Sequence, residues 1–478
     1  MTDGAPTRRN WVRLDNASNI FLAARSTTDP KVFRMSVEVD HEVDPMLLQA
    51  ALDETYDRFP LFHAVLRRGI FWYYLQDSDL RPTVAEDDQY TCFPIYQTDR
   101  RNLLFRILYY RRRIILEIFH ALSDGTGALW FVSDLVTAYL RLKYPDEAPS
   151  EVSNADAPLT EPEESLAQTR GLVPDSFSHH FRQHRKQDHP TADFDHVAAA
   201  ATAETEAVSE AAKAPVGSDS RLRALLRRPE QKVYRVRGAR TPDNRARAVE
   251  LTVNAKAALG LARAEGVSLT TYLTALFFES IRRSAGDLGD APTMSASIPV
   301  NLRQFFPSTS ARNFFATVHV EHTYGEGSDD LGSIARNLEE DFRPKATPEA
   351  LEQKLRQLIR LERHQVIRII PRPFKDVILR LLNWGNNRGL TVAISNLGRV
   401  SLPEPADSHV DRMYFHVSAV RPQFCAMSHG NQLTISFTSP FVETGHIQEF
   451  ARHLTEHGVE VCVAAAAVTE EEIAELSS

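Results

Sequence analysis

The sequence predicts a mixed α/β protein with two lobes. Strand-like and helix-like stretches alternate on both sides of residues 151–245, where Pro, Ala, Glu and Ser dominate in places. The 478 residues are too many for one core and fit two or three domains. Strands mixed with helices in this way predict mixed sheets covered by helices. We therefore expect a first lobe over residues 1–150, a crossover over 151–245 and a second lobe over 246–478.

The first lobe is predicted to contain a strand, a helix and two strand pairs. Residues 11–25 combine apolar side chains with turn-forming Asp and Asn. Apolar and polar residues alternate over 32–39, which predicts a half-buried strand. An Asp-Pro dipeptide caps and begins a helix over 44–58. The stretches 63–75 and 103–119 each indicate two strands joined by a turn, the second of them through a solvent-exposed arginine cluster.

The second lobe is predicted to follow a similar plan without visible sequence repetition. Apolar runs flanked by turn residues predict its strands, and apolar residues at helical spacing predict its helices. The predicted strands are 248–253, 293–302, 317–324, 390–394, 410–420, 423–428 and 432–437. The predicted helices are 254–265, 268–283, 330–343, 348–366, 372–384 and 443–457.

The crossover differs from both lobes in composition. Residues 197–216 contain no apolar side chain larger than valine, so they cannot bury enough surface to order themselves. We predict a flexible segment over residues 190–220. The region is also rich in histidine, and four of these histidines, without regular metal-ligand spacing, are expected to be solvated. They are His179, His180, His184 and His189.

Composition excludes several classes of protein. The net charge of −8 gives no indication of a nucleic-acid surface. The N-terminus has no apolar signal-peptide core, and no run approaches the roughly 18 apolar residues of a membrane span. Cys92, Cys425 and Cys462 form neither a disulfide framework nor a metal site. Cys425 could be a nucleophile, although a buried thiol is the simpler interpretation. We expect a reduced, cytoplasmic setting.

The strongest functional pattern lies where a predicted strand meets a helix. Residues 114–119 are apolar, and residues 128–142 carry apolar side chains at helical spacing. Between them, His120 stands at the strand end, a suitable position for a general base. We expect Asp124 to clamp the loop through a distant arginine, while Gly125 lets the backbone pass closely. The simpler interpretation is a strand-end histidine before a common Asp-Gly turn.

With its flanks, the motif His120-Ala-Leu-Ser-Asp124-Gly125 resembles the active-site motif of the coenzyme A-dependent acyltransferase superfamily. That superfamily includes chloramphenicol acetyltransferase, plant alcohol acyltransferases and the condensation domains of peptide synthetases. The stretches 14–21 and 298–303 are similar to its bacterial alcohol acetyltransferase-like branch. The resemblance covers most of the chain outside about 150–245. Phe119 stands where condensation domains and wax ester synthases usually carry a further histidine, which argues mildly against both.

The resemblance implies two chloramphenicol acetyltransferase-like subdomains with a tunnel at their interface. It implies that His120 is the general base and that Arg303 pairs with Asp124. Arg13 and Arg25 are alternative partners for this aspartate. It also implies an oxyanion donor from the second lobe, for which Ser395 and Asn396 are our candidates. These two residues lie before Gly398 at a predicted strand end, and an ordinary polar turn is the simpler interpretation. 

We therefore expect an O-acyltransferase that moves an acyl group, acetyl first, from acyl-CoA to a small or lipid-like alcohol. The chain has no Gly-x-Ser-x-Gly nucleophile elbow, which favours direct transfer. We expect no permanently bound cofactor and no metal, and a monomer is the working expectation. One alternative is a free-standing condensation-type enzyme that uses carrier-protein thioesters. Another is a non-catalytic binding protein with the same fold. Acyl length and acceptor identity stay open.

Overall fold

The structure is a computed structural model. It describes residues 11–14, 16–98, 100–147, 232–241, 244–362 and 372–465. The predicted flexible segment over 190–220 and the histidines of the crossover lie outside these residues. Among the described residues, no helix is long and apolar enough to cross a bilayer.

The strands are numbered β1 to β15 in chain order. They are β1 Trp11–Arg13, β2 Val32–Val39, β3 Val65–Arg68, β4 Tyr73–Gln76, β5 Val84–Glu86, β6 Phe105–Tyr110, β7 Arg113–Phe119, β8 Arg247–Asn254, β9 Thr293–Asn301, β10 Phe315–Thr323, β11 Val392–Val400, β12 Val410–Val417, β13 Gln423–His429, β14 Gln432–Ser439 and β15 Val461–Ala465.

The α-helices of the described residues are numbered α1 to α9. They are α1 Asn16–Ala24, α2 Pro45–Arg58, α3 Gly125–Lys143, α4 Ala255–Ala264, α5 Leu269–Ala285, α6 Leu331–Lys345, α7 Pro348–Glu362, α8 Arg372–Asn387 and α9 Gly445–Glu456. Short 3₁₀ turns lie at Pro60–His63, Pro145–Glu147, Leu302–Gln304 and Ala406–His409.

Two large mixed sheets form the frame of the molecule. The first has the order β12-β2-β7-β6-β5, and the second has the order β10-β9-β11-β13-β14-β8-β15. A small sheet, β1-β4-β3, adjoins the first. Strand β12 comes from the second half of the chain but pairs antiparallel with β2, with Tyr414 opposite Ser36. This exchange joins the two lobes through backbone hydrogen bonds.

Each large sheet has its own apolar core. In the first, α2 and α3 pack together, and the rings of Phe62 and Phe131 stack with centroids 4.2 Å apart. In the second, α5 is buried along most of its length, and Phe277 meets the ring edges of Phe424 and Phe437. Aromatic side chains of this size contribute much of the area buried in a core. The two sheets thus each have a separate core, one on either side of the interface.

Most predicted elements occur within a few residues of their predicted bounds, and the others differ as follows. Helix α1 replaces a predicted turn. The helix buries Leu22 in the first core and Phe21 in the second. The predicted polar turn after residue 394 is instead part of β11. There the register shifts between Asn396 and Arg399, and Gly398 has φ +75°. Strands β1, β5 and β15 were not predicted. Strand β15 pairs antiparallel with β8 and forms one edge of the second sheet.

One side chain of the predicted solvent-exposed arginine cluster has a different place. Arg113 begins strand β7, and its two Nη atoms donate to the carboxylate of Glu250 on β8 at 2.9 and 2.8 Å. Its guanidinium also lies 4.1 Å from the ring centroid of Tyr414 on β12. The prediction was wrong for Arg113, because the strand begins one residue earlier than expected and turns it toward the other lobe.

Candidate active site

A cavity of about 240 Å³ lies between the two lobes. The first lobe contributes Phe21 and His120 to its wall, and the second contributes Phe315 and Ser395. Sites for whole drug-sized ligands usually measure about 300–1,000 Å³. At about 240 Å³ the cavity is smaller than a site that encloses a whole ligand of that size.

His120 directly follows strand β7, and four neighbours fix its backbone and ring. Its backbone N–H donates to the carbonyl of Lys31 at 2.8 Å, and its carbonyl accepts from Nδ2 of Asn313 at 2.9 Å. The imidazole stacks on Phe21 with centroids 4.0 Å apart and meets the edge of Phe33 at 5.0 Å. The ring is thus held in one orientation at the wall of the cavity.

The two ring nitrogens have different surroundings. Nδ1 of His120 is buried and has no hydrogen-bond partner within the described residues, and the same holds for Oδ1 of Asn313. Nδ2 of that asparagine is engaged, because it also donates to Oγ of Ser18 at 3.1 Å. Since Nδ1 lies on the buried side of a ring that lines the cavity, Nε2 is the nitrogen that can reach a substrate.

The protonation state of His120 follows from its burial. Desolvation of the ring lowers the pKa of His120 below its usual value of 6.5. The negative charge of Asp124 partly opposes this effect, while the positive charge of Lys31 adds to it. The imidazole is therefore neutral at pH 7, with a lone pair available to accept a proton.

Asp124 forms the predicted ion pair with Arg303. Nη1 of Arg303 donates to Oδ2 of Asp124 at 2.7 Å, and the two side chains are only 6% and 5% exposed. The same carboxylate accepts backbone N–H groups from Gly127 at 2.9 Å and Phe314 at 2.7 Å. Three donors, two of them from the second lobe, therefore hold the loop after His120 in place.

The arginine is fixed as firmly as the carboxylate. Its Nη2 donates to the carbonyls of Ser310 at 2.8 Å and Arg312 at 2.6 Å. Of the two alternative partners considered from sequence, Arg25 instead donates to Thr98 at 2.7 Å, and the side chain of Arg13 lies outside the described residues.

Two glycines let the lobes approach each other around this loop. A Cβ atom on Gly125 would lie 3.0 Å from Cδ2 of Leu397, a flexible side chain in the cavity wall. A Cβ atom on Gly127 would overlap the carbonyl oxygen of Ala311 and lie 2.8 Å from its carbon. Gly125 thus has the close passage that the sequence suggested. A side chain at Gly127 would be tolerated less well, because it would meet backbone atoms rather than a flexible side chain.

The two candidate oxyanion donors have different environments. Both line the cavity from β11. Asn396 is engaged locally, because Nδ2 donates to Thr270 at 2.9 Å and Oδ1 accepts from the backbone of Gly398 at 2.8 Å. Ser395 alternates with Asn396 along the strand and shares a face with Leu397, which packs against the first core. Ser395 is therefore the better placed of the two to face the first lobe.

Sequence reasoning missed two residues beside the histidine. Asn313 lies 193 positions further along the chain, and nothing in its local sequence marks it. Lys31 adopts φ +58°, which is uncommon for a residue with a side chain, and its carbonyl receives the His120 N–H. An unexpected left-handed backbone is visible only in coordinates.

Comparison with known proteins shows what this arrangement is similar to. No protein-family profile and no curated protein sequence matches the chain. Solved structures do match over nearly its whole length. TRI3 trichothecene 15-O-acetyltransferase from Fusarium sporotrichioides aligns with TM-score 0.56 and 10% identity, covering 96% of each chain.

Two further structures give similar values. TRI101 from F. graminearum, complexed with coenzyme A and T-2 mycotoxin, aligns with TM-score 0.55 and 11% identity, covering 95% of this chain and 99% of that one. The starter condensation domain of rhizomide synthetase, complexed with C8-CoA and Leu-SNAC, aligns with TM-score 0.55 and 14% identity, covering 93% and 94%. The chain therefore has the two-lobed fold shared by coenzyme A-dependent acetyltransferases and condensation domains.

Proposed function

We propose that the protein is an O-acyltransferase that moves an acyl group from acyl-CoA to the hydroxyl of an alcohol. The observation that carries the proposal is a neutral imidazole, His120, held at the wall of an interlobe cavity with Nε2 free to face a substrate. An alcohol is a poor nucleophile at neutral pH unless a base takes its proton as it attacks.

The reaction needs no covalent intermediate on the protein. Nε2 of His120 takes the hydroxyl proton while the alcohol oxygen attacks the thioester carbonyl. The C=O electrons move to oxygen, and the hydroxyl of Ser395 donates a hydrogen bond to this oxyanion. The intermediate then collapses, the C–S bond breaks, and the thiolate leaves and recovers the proton from the imidazolium. One such hydrogen bond typically lowers the barrier by about 3 kcal/mol.

Charge at the entrance favours a polyanionic donor. A second cavity of about 550 Å³ shares five wall residues with the catalytic cavity, among them Asn383, Asn387 and Arg421. We call it the arginine vestibule. No Asp or Glu lines it in the part of the chain that the structure describes. Six arginines of the described residues line it: Arg25, Arg235, Arg240, Arg380, Arg388 and Arg421.

Coenzyme A carries a diphosphate and a 3′-phosphate, which suit such an entrance. Arginine binds phosphate through paired N–H donors. A donor whose phosphates lie in the arginine vestibule could extend its pantetheine arm past Asn383 and Asn387 toward His120. This supports acyl-CoA over the condensation-type alternative, because a carrier-bound pantetheine brings only one phosphodiester.

The proposal is tested by following thiol release with a thiol reagent. Purified protein is mixed with acetyl-CoA or longer acyl-CoA and a panel of small and lipid-like alcohols. We expect thiol release that depends on the alcohol, and formation of the matching ester. Absence of turnover with every acyl-CoA and alcohol, in folded protein, would contradict the proposal and favour a non-catalytic binding protein.

The donor is tested separately. In the double variant Arg235→Gln/Arg240→Gln, we expect the KM for acyl-CoA to rise about tenfold while kcat stays near that of the wild type. The matched control is an acyl-pantetheine thioester without the nucleotide, whose kcat/KM should not change. Efficient turnover of carrier-protein thioesters with none of acyl-CoA would instead support the condensation-type enzyme.

A further inference from the structure

A patch of small polar side chains lies on the second-lobe wall of the catalytic cavity. Ser297 and Asn301 on β9 and Thr317 on β10 all line the cavity. The register of the two strands sets Thr317 opposite Pro299, so Ser297 and Asn301 stand on either side of that pair along β9. Residues two apart on a strand point to the same face of a sheet, so the three side chains share the face that borders the cavity. We call them the polar wall patch.

The hydroxyl of Thr317 is the unusual member of the polar wall patch. The residue is only 5% exposed, and its Oγ1 has no hydrogen-bond partner within the described residues. Pro299, directly across the strand pair, has no polar side-chain atom to offer it. Most buried hydroxyl groups in folded proteins have a partner, because removing an unpaired one from water is unfavourable. A buried, unpaired hydroxyl in a cavity wall is therefore available to a ligand.

The backbone holds this hydroxyl in place. The carbonyl of Thr317 accepts a hydrogen bond from Nζ of Lys354 on α7 at 2.8 Å, and β10 pairs with β9 along its whole length. The branched Cβ of threonine also restricts its χ1 rotamers on a strand. The position of the hydroxyl is thus set before a ligand arrives.

The polar wall patch lies close to the proposed general base. Phe315 precedes Thr317 by two positions on β10, and its ring centroid is 5.8 Å from that of His120. Two residues along an antiparallel strand span about 7 Å. A substrate with its reacting hydroxyl at Nε2 of His120 can therefore extend past the ring of Phe315 and meet Thr317 with a second polar group.

The patch is set apart from the entrance assigned to the donor. The arginine vestibule shares Asn383, Asn387 and Arg421 with the catalytic cavity, but none of the three patch residues lines it. A donor whose phosphates lie in the vestibule approaches His120 past helix α8, whereas the patch lies on β9 and β10. The second polar group that meets the patch is therefore assigned to the acceptor.

We propose that the polar wall patch binds a second hydroxyl group of the acceptor, so that the preferred acceptor is a diol or polyol. This inference rests on the proposed function and names the acceptor class for it. Oγ1 of Thr317 can accept a hydrogen bond from the second hydroxyl or donate one to it. Ser297 and Asn301 add further polar atoms to the patch. Thr317 is a positioning residue, because it takes no part in proton transfer but holds the reacting hydroxyl at His120.

The test compares matched acceptors in matched variants. Octanol and octanediols, whose second hydroxyl stands progressively farther from the first, are assayed with saturating acyl-CoA. The proteins are the wild type, Thr317→Val, which keeps the side-chain shape without the hydroxyl, and Thr317→Ser, which keeps the hydroxyl. In the wild type, kcat/KM for the best diol should exceed that for octanol about tenfold, the effect of one hydrogen bond. Thr317→Ser should retain this ratio, and Thr317→Val should bring it close to one.

Two further readouts do not depend on turnover. Because the hydroxyl has no partner within the described residues, Thr317→Val should be at least as stable as the wild type in urea unfolding. In the His120→Ala background, ligand-observed NMR should show the diol bound about tenfold more tightly than octanol, and adding Thr317→Val should remove that difference. Preferential diol binding by a wild type without any turnover would contradict the acyltransferase activity and still support the patch as a diol site.

Four results would overturn the inference. The first is an equal kcat/KM for octanol and every octanediol in the wild type. The second is a diol preference that Thr317→Val retains. The third is a Thr317→Val variant clearly less stable than the wild type, since the hydroxyl would then already have a partner in the folded chain. The fourth is a preference for hydroxyacyl-CoA over the matching acyl-CoA that Thr317→Val removes, since the patch would then bind the acyl group of the donor.

Discussion

Replacing Asp124 by alanine should cost far more stability than replacing His120. The Asp124→Ala change leaves the guanidinium of Arg303 buried, at 6% exposure, without its carboxylate. Breaking a buried ion pair in this way typically costs about 3–5 kcal/mol. The N–H groups of Gly127 and Phe314 also lose their acceptor, and an unsatisfied buried donor costs about 1–3 kcal/mol. Because these losses overlap, we expect Asp124→Ala to lower the free energy of unfolding by about 4–6 kcal/mol in total.

His120→Ala removes a ring that already borders a cavity, so water can occupy the space. We expect it to lower the free energy of unfolding by only about 1 kcal/mol, within the range of ordinary substitutions. The assay is urea unfolding of both variants at pH 7, with the slope of the free energy against urea compared to confirm that the same surface is exposed.

A double-mutant cycle isolates the ion pair. Arg303→Met keeps much of the side-chain volume and removes the charge. If the two charges stabilise each other, Asp124→Ala/Arg303→Met should lose less stability than the sum of the single losses. Equal destabilisation by Asp124→Ala and His120→Ala would refute the reasoning, because it would mean that the carboxylate does not hold the loop.

Three further predictions concern other residues. Ser395→Ala should lower kcat about 100-fold with little change in KM or unfolding, since its hydroxyl is proposed to act only on the oxyanion; an unchanged kcat would exclude that role. Gly127→Ala should destabilise the fold and lower kcat, because its Cβ overlaps the backbone of Ala311; Gly125→Ala, which meets only a flexible side chain, should cost less in a thermal unfolding assay. His416 is a buried residue of strand β12. Burial lowers its pKa from 6.5 to about 4, so as the pH falls the unfolded chain takes up a proton at a higher pH than the folded chain does. Its contribution to stability is therefore full above pH 6.5 and is lost as pH falls toward 4, by about 2 kcal/mol at pH 5. Between pH 7 and pH 5, the free energy of unfolding measured in urea should fall by about 2 kcal/mol less in His416→Gln than in the wild type. An identical fall in both proteins would contradict the assignment.

Local patterns in the sequence predicted the elements that carry the site. The apolar run before His120 and the helical spacing after Gly125 are short-range signals, and the strand, loop and helix lie where those signals indicated. The ion pair between Asp124 and Arg303 was predicted from a resemblance, and the two side chains do meet.

Long-range packing accounts for what was not predicted. Asn313 reaches His120 because the two lobes meet there, and Lys31 reaches it because β2 pairs with β7 in the first sheet. No local pattern in the sequence records either contact. Strand β12 belongs to the second half of the chain, but its hydrogen bonds go to β2 of the first. The exposed apolar side chains of α8, Leu381 and Trp384 among them, have the helical spacing expected of a buried stripe, so spacing alone could not show that they point outward.

The measurement that bears most directly on the function is acyl transfer by His120→Ala under saturating acyl-CoA and alcohol. A general base typically contributes about 10²–10⁴-fold to rate, so alcohol-dependent thiol release should fall by at least 100-fold while the variant stays folded at pH 7. Thiol release at the wild-type rate in the folded variant would contradict the assignment of the imidazole as the base.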